Sequence, residues 1–149
     1  MKYFAYSQKE FLYKYIVMLS DIDQFRHMSF ANYLRLMFLA SDAFLMPNMD
    51  LSFTNQYCLK LKDSRMQFKR QTMAGDSILI KLNASHVSDL DFSLFYTFVT
   101  EHAGDLIALG RQTFELRSSC NNNFARLPDA MKQQLKMIEI EEEHLLYKY

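Results

Sequence analysis

The sequence has few cysteines, no excess of charge of either sign, and no long uninterrupted apolar run. Its 149 residues include two cysteines, Cys58 and Cys120, and 17 basic residues balance 17 acidic ones. The cysteines match no metal-ligand spacing, which favours reduced thiols over a disulfide, and no two of the four histidines show zinc-ligand spacing. Without a basic excess, the composition gives no support to nucleic-acid binding. We therefore expect neither a metal site nor a nucleic-acid partner.

The apolar segments are too short or too interrupted for a membrane protein. The longest stretch, FANYLRLMFLASDAFLM, contains Arg35 and Asp42 and cannot span a bilayer. The opening MKYFAYSQKEF has no uninterrupted apolar region of the kind that a signal peptide needs. We therefore expect a soluble, cytoplasmic protein. Half of its residues are hydrophobic and 15% are aromatic, so residues 1–149 are predicted to form one domain with a sizeable core.

The chain alternates strand-like and helix-like segments. Ser29 and Pro47 delimit a predicted helix over residues 30–46. Strands are predicted at residues 10–19, 56–70 (with a bend near Asp63-Ser64), 77–87, 91–101 and 106–117. Short turns favour a meander for the last four strands. A helix is predicted to start at Pro128, and the acidic segment 139–149 is either a frayed helical tail or a clasp onto a partner subunit.

The predicted helix over residues 30–46 is apolar around almost its whole circumference. A helix of this kind must be buried on most sides, and in a domain this small the strands must cover it. One antiparallel sheet wrapped around one central helix satisfies this requirement and defines an α+β architecture. Such a sheet has exposed edges, which a homodimer or homotetramer can pair.

The stretch SDIDQFRHMSFANYLR resembles the signature of hotdog-fold acyl-CoA thioesterases of the 4-hydroxybenzoyl-CoA thioesterase type. Asp21, Asp23, His27, Asn32 and Tyr33 stand at the matching spacings. MAGDSILI, HAGDLIALGRQTF and ARLPDAMKQQL are similar to later family segments and come in the same order. The resemblance covers roughly residues 10–135. It implies a hotdog fold, with a five-stranded antiparallel sheet wrapped around a long central helix and a helical tail from about residue 128.

Three residues depart from the family pattern. Arg26 stands where the family usually has glycine, which predicts a less tight loop or a different backbone there. Phe38 and Ser41 stand where the family often carries an acid and an arginine. We expect these departures to weaken the activity or to direct it to another acyl group.

Thioester hydrolysis needs an activated nucleophile and stabilisation of the developing oxyanion. A helix N-terminus offers free N–H groups to the carbonyl, and Asp23 lies in the loop before such a terminus. The resemblance implies that Asp23 is the catalytic acid, as base or nucleophile, and that Tyr33 lies near the acyl group. A plain loop or cap role for Asp23, a buried aromatic role for Tyr33, and either a substrate-contacting or a structural role for His27 stay open. Asp21 is predicted to fix the loop by accepting backbone N–H bonds.

Coenzyme A would bring phosphates, which bind arginine and lysine. Arg65, Lys69 and Arg70 cluster on the second predicted strand and after it, as substrate-binding candidates or as a solvated strand face. The predicted function is hydrolysis of an acyl-CoA or acyl carrier protein thioester, with no cofactor beyond the coenzyme A of the substrate. The alternative is a non-catalytic hotdog protein that binds acyl groups or a protein partner. A hotdog dehydratase is disfavoured, because no histidine is followed by a Pro-Gly helix start.

Overall fold

A computed structural model describes residues 3–7 and 9–141, with side chains from residue 9 onward. Within these residues the strands are β1 (Tyr3–Ser7), β2 (Glu10–Ile16), β3 (Tyr57–Phe68), β4 (Ser77–Ser85), β5 (Asp91–Thr100) and β6 (Leu106–Ser118). The helices are α1 (Phe30–Leu45), α2 (Leu51–Gln56) and α3 (Asp129–Met137). All five predicted strands and both predicted helices are present. Strand β1 and helix α2, which Asp50 caps, were not predicted.

The strands form one antiparallel sheet in the order β1-β2-β4-β5-β6-β3. The predicted bend in β3 is a bulge between Leu61 and Asp63. The predicted four-stranded meander is wrong for β3, which pairs with β6 at the far edge and not with β4. The reason is that residues 69–76, which we call the crossover segment, cross the end of the sheet, and only the last four of them form a tight turn, which leads into β4. This crossover passes the start of α1, where Met28 N–H donates to Thr72 O at 3.4 Å.

Helix α1 packs one side against the sheet. Its buried residues are Tyr33, Leu36, Met37, Ala40, Ser41, Phe44 and Leu45. The approach is close at Gly110 of β6, where an added Cβ would lie 2.9 Å from Met37 Cε. The opposite stripe of Ala31, Arg35, Phe38 and Asp42 is exposed, so the sheet of one chain does not enclose the helix as expected. At 16 residues, α1 is only slightly longer than the average globular helix.

Helix α3 closes the core beside the C-terminal end of α1. Met131, Leu135 and Ile138 are fully buried, and the Gln134 side chain donates a hydrogen bond to the backbone oxygen of Phe44. After α3 the chain is not helical: Ile140 N–H donates to Ala84 O at 2.9 Å, which adds a short parallel bridge to β4. The rest of the predicted tail, residues 142–149, lies outside the described residues.

Candidate active site

Residues 21–28, which we call the site loop, form a tight hairpin before α1. Ile22 and Met28 pair at its base, and Asp23 N–H donates to His27 O at 2.9 Å. The Asp23 carboxylate folds back into this turn: its Oδ1 accepts the N–H of Phe25 at 2.8 Å and that of His27 at 3.2 Å. Among the described residues, no group is bonded to its Oδ2. One carboxylate oxygen therefore holds the turn, and the other is open to solvent or substrate.

Arg26 takes the backbone conformation that glycine favours. Its φ is +66°, in the left-handed region that side-chain-bearing residues rarely adopt. The Arg26 N–H donates to Asp23 O at 3.0 Å and closes the turn. The turn is closed and the backbone at Arg26 is one that glycine favours; a loop less tight than that of the family stays a prediction.

Asp21 is buried and fixes the site loop. It accepts a backbone N–H bond, as predicted, and it also accepts hydrogen bonds from two side chains. Its Oδ2 accepts the Tyr15 hydroxyl at 2.6 Å and the Met18 N–H at 2.8 Å, and its Oδ1 accepts Arg35 Nη2 at 2.9 Å. Burial and the hydrogen bond to Asp21 raise the pKa of Tyr15. The hydrogen bond to Tyr15 raises the pKa of Arg35. The cluster is therefore a carboxylate and a guanidinium in direct contact, with the Tyr15 hydroxyl bonded to both.

The start of α1 opens onto a cleft of about 590 Å³. Ser29 caps the helix by accepting the Asn32 N–H at 3.3 Å. Within the described chain, no hydrogen bond takes up the N–H groups of Phe30 and Ala31, the first two of the helix. The cleft is lined by His27, Met28, Phe30, Tyr33, Phe68, Lys69, Arg70 and Gln71. Free amide donors at the positive end of a helix dipole therefore lie beside an apolar and cationic cleft.

Tyr33 forms the buried floor of this cleft. Its ring meets Phe68 at 4.9 Å and Phe98 at 5.5 Å, both edge to face, and only 2% of the residue is exposed. Its hydroxyl lies 2.8 Å from Thr72 Oγ1 on the crossover segment. Burial raises the pKa of Tyr33 more than the Thr72 hydrogen bond lowers it. The hydroxyl is therefore neutral at physiological pH and already engaged with protein.

The predicted site residues do not all meet in the cleft. His27, Tyr33, Lys69 and Arg70 line it, and Asp23 adjoins it through the His27 N–H. Arg70 Nη1 also pairs with Asp105 at 2.7 Å. Arg65 lies apart on β3, where its Nε donates to Asp63 Oδ2 at 2.9 Å.

The two departures inside α1 lie away from the cleft lining. Phe38 is 39% exposed on the open stripe of the helix. Ser41 is buried and donates to the backbone oxygen of Phe38 at 3.0 Å. Neither residue supplies a charged group to the cleft.

Sequence reasoning missed Arg35, Tyr15, Thr72 and Phe68. Arg35 carried a visible signal, because it is the single basic residue within the apolar stretch that forms α1. Thr72 and Phe68 carried none, since they reach the site only through the crossover of β3 to the far edge of the sheet. Tyr15 gave no signal either, because it is one of several aromatic residues in a predicted strand. Only the structure shows that its hydroxyl lies beside Asp21.

Among the described residues, no group of three or more histidine, cysteine or acidic side chains is arranged to hold a metal ion. No helix that the structure describes is long and apolar enough to cross a membrane.

Comparison with known families now identifies the class. A model of the Thioesterase-like superfamily matches residues 17–135, and the chain belongs to this superfamily. Its enzymatic class is that of the thioester hydrolases. Comparison with curated proteins gives no match.

Solved structures share the fold. A 1,4-dihydroxy-2-naphthoyl-CoA thioesterase from Synechocystis has 20% identity and a TM-score of 0.78, over 85% of this chain and 96% of that one. A gentisyl-coenzyme A thioesterase, BH1999, has 19% identity and a TM-score of 0.73, over 83% and 98% of the two chains. A Staphylococcus aureus protein solved in complex with CoA has 18% identity and a TM-score of 0.81, over 90% and 86%. At these identities the likeness establishes the fold, an antiparallel sheet with a helix packed on it.

Proposed function

We propose that this protein hydrolyses an acyl-CoA thioester at the cleft between the site loop and the start of α1. The observation that carries the proposal is the juxtaposition of two features. The site loop presents the Asp23 carboxylate next to His27 of the cleft lining, and the N–H groups of Phe30 and Ala31 have no partner in the described chain. A carboxylate and free helix-terminal donors are the two groups that thioester hydrolysis requires.

In this mechanism the thioester carbonyl oxygen accepts the Phe30 N–H, and negative charge develops there as the carbonyl carbon is attacked. Asp23 acts in one of two ways. As a base, it takes a proton from water while the water oxygen bonds to the carbonyl carbon; as a nucleophile, it attacks directly and forms an anhydride that water then hydrolyses. In both routes the C–S bond breaks, coenzyme A leaves as the thiol, and the acyl group leaves as the free acid.

Substrate binding is assigned to the cleft walls. Lys69 and Arg70 place two cations at the cleft for the phosphates of coenzyme A. A protein of the same fold was solved in complex with CoA, which supports this assignment. Arg65 is less well placed, because it lies outside the cleft lining and is bonded to Asp63. The exposed rings of Phe30 and Phe68, in edge-to-face contact at 5.9 Å, offer an apolar wall to the acyl group. An acyl carrier protein thioester is the alternative substrate.

We also propose that the protein works as a homodimer that pairs strand β3 with β3 of a second copy. Strand β3 is a 12-residue edge strand with a neighbour on one side only in the described sheet. Leu61 and Phe68 on it are 41% and 44% exposed. A long edge strand with exposed apolar residues invites strand pairing. Sedimentation is expected to give twice the mass of one chain, and Leu61→Asp is expected to shift the protein towards monomer; a wild-type monomer at micromolar concentration contradicts the pairing.

The remaining parts of the proposal concern location and cofactors. We place the protein in the cytoplasm, where acyl-CoA is available, and assign it no cofactor beyond the coenzyme A of its substrate. A tetramer built from two such dimers is compatible with the same edge pairing.

The proposed reaction is tested with purified protein, a panel of acyl-CoAs and a reagent that detects free thiol. Asp23→Asn is expected to lower kcat at least ~10²-fold, the scale for loss of a base or nucleophile. Asp50→Asn is the matched control, because Asp50 Oδ1 accepts the Phe53 N–H at 2.8 Å, as Asp23 Oδ1 accepts that of Phe25, but it caps α2 outside the cleft. Equal, small losses in both variants would mean that Asp23 does no chemistry.

A non-catalytic protein that binds acyl groups is the second candidate. The departures at Phe38 and Ser41, where the family often has an acid and an arginine, suggest this candidate, but both residues lie outside the cleft lining. Under this candidate the wild type releases no thiol from any acyl-CoA of the panel, yet acyl-CoA still binds, and Asp23→Asn leaves its affinity unchanged.

A further inference from the structure

Arg35 reaches from α1 back to the site loop. It lies on the open stripe of the helix, and its side chain is 46% exposed. Its Nη2 donates to Asp21 Oδ1 and to the Tyr15 hydroxyl, each at 2.9 Å, and its guanidinium lies 5.7 Å from the centre of the Tyr15 ring. Its Nε donates to Asn32 Oδ1 at 3.4 Å. One side chain thus joins the helix, strand β2 and the site loop.

The Arg35 contacts converge on the residue that begins the site loop. The Asp21 backbone oxygen accepts Asn32 Nδ2 at 2.8 Å, while its carboxylate accepts Arg35. Asp21 is therefore tied to the first two turns of α1 by both its backbone and its side chain. We infer that Arg35 is a positioning residue, which holds the site loop in register with the N-terminus of α1 and so keeps Asp23 beside His27 of the cleft lining.

The other end of the site loop, at Met28, is held by a weaker hydrogen bond. There the Met28 N–H donates to Thr72 O at 3.4 Å, a single long bond. On the Asp21 side, a carboxylate that is only 5% exposed accepts three donors. A buried carboxylate that loses its cation is left with an uncompensated charge, so the loop is most sensitive to change at Arg35.

The inference rests on the proposed function for its catalytic consequence. Arg35 is not among the residues that line the cleft, so it has no direct part in substrate binding. Its loss is therefore expected to lower kcat, through the misplaced Asp23, and to leave KM nearly unchanged. A residue that merely supported folding would show no such split between kcat and KM once the protein is folded.

Arg35→Gln and Arg35→Lys test the inference by two readouts. The first is hydrogen exchange, by NMR, of the Asp23 and His27 amides, which hold the turn of the site loop. Arg35→Gln is expected to accelerate both roughly ten-fold, the equivalent of one charge-assisted hydrogen bond. Arg35→Lys keeps the charge but lacks the planar fork, so an intermediate acceleration is expected. The second readout is the pair of kcat and KM for the best acyl-CoA.

Arg126→Gln is the matched control. Arg126 is a surface arginine, 78% exposed, paired with Asp89 at 3.0 Å. Asp89 lies in the β4–β5 turn, at the opposite end of β4 from the crossover segment. This variant is expected to leave the exchange of Asp23 and His27 and both kinetic constants unchanged.

The outcomes separate this inference from the proposed function. Accelerated exchange with a lower kcat and a constant KM supports it. Unchanged exchange in the folded Arg35 variants overturns it, whatever the kinetics show, and so does equal acceleration in Arg126→Gln. If the wild type hydrolyses no thioester, the proposed function fails, and exchange alone decides whether Arg35 positions the loop. If Arg35→Gln does not fold, Arg35→Lys decides by the same criterion.

Discussion

The hydroxyl of Tyr33 lies 2.8 Å from Oγ1 of Thr72, a hydrogen bond that joins the first turns of α1 to the crossover segment. Both residues are only 2% exposed. The bond therefore links α1 to the crossover segment beneath the cleft, out of reach of solvent. Its role is to fix the floor of the cleft.

Tyr33→Phe is expected to lower the free energy of unfolding by about 1–3 kcal/mol, because it leaves the Thr72 hydroxyl buried without its partner. Thr72→Val is expected to have a similar cost. The double variant should cost less than the sum, since removing both polar groups restores a matched apolar contact. Urea unfolding of the four proteins measures this coupling, and additive costs would show that the hydrogen bond contributes nothing.

Stability is expected to fall in alkaline solution. Burial is the main cause that raises the pKa values of Tyr13, Tyr15, Tyr33 and Tyr96. Above the ordinary tyrosine pKa of about 10, the unfolded chain loses these protons while the folded chain keeps them. The stabilisation is therefore fully present below pH of about 10 and is lost as the pH rises through the native pKa values.

Unfolding free energies measured at increasing pH test this titration. Each such tyrosine contributes a slope of up to about 1.4 kcal/mol per pH unit between its two pKa values. Tyr33→Phe removes one contribution, so its curve should fall less steeply than that of the wild type. Parallel curves would mean that Tyr33 titrates alike in the folded and unfolded chains.

Arg26→Gly is expected to stabilise the protein. A left-handed conformation costs a residue with a side chain roughly 1–2 kcal/mol, and glycine avoids this cost at an entropic loss of roughly 0.5–1 kcal/mol. The net gain should be about 0.5–1 kcal/mol, and Arg26→Val should destabilise, because a branched Cβ fits that conformation worst.

Arg126→Gly is the control for this change of residue type. Arg126 is not among the described residues with a positive φ, and it pairs with Asp89, so glycine there should lower the melting temperature. Thermal unfolding compares the variants. A melting temperature for Arg26→Gly below that of the wild type would contradict the strain at Arg26.

Local sequence signals predicted the strands and helices of the fold but not how these elements pair. Periodicity and turn residues predicted the five strands and α1, because both are local signals. The pairing of β3 with β6 could not be predicted from the turn residues. A segment that crosses the end of a sheet and a segment that forms a tight turn contain the same kinds of residue. The order of Asp21, Asp23 and Tyr33 predicted a candidate site that stays a prediction. The contact between Arg35 and Asp21 was not predictable, because it depends on how α1 lies against the site loop. Apolar character alone could not tell that Phe30 is exposed, because cleft walls and cores use the same residues.

Phe68→Ala is expected to weaken binding of substrates with a bulky acyl group. The Phe68 ring is 44% exposed in the cleft, where it contacts Phe30 at 5.9 Å and Tyr33 at 4.9 Å. If the acyl group packs on this wall, its loss should raise KM by roughly ten-fold for benzoyl-CoA or hexanoyl-CoA, equivalent to about two buried methylene groups. Acetyl-CoA, which has little apolar surface to bury, should show a change of less than about two-fold.

Phe124→Ala distinguishes the cleft wall from a general effect of truncating an exposed ring. Phe124 is 57% exposed, and its ring lies 3.7 Å from the Arg117 guanidinium at the end of β6 that is remote from the crossover segment. Its truncation should leave KM for all three thioesters unchanged. An equal rise of KM for acetyl-CoA and benzoyl-CoA in Phe68→Ala would show that Phe68 contacts the part common to both substrates, coenzyme A. The aromatic wall would then belong to the nucleotide end of the site, and the acyl group would have to lie on the far side of the start of α1.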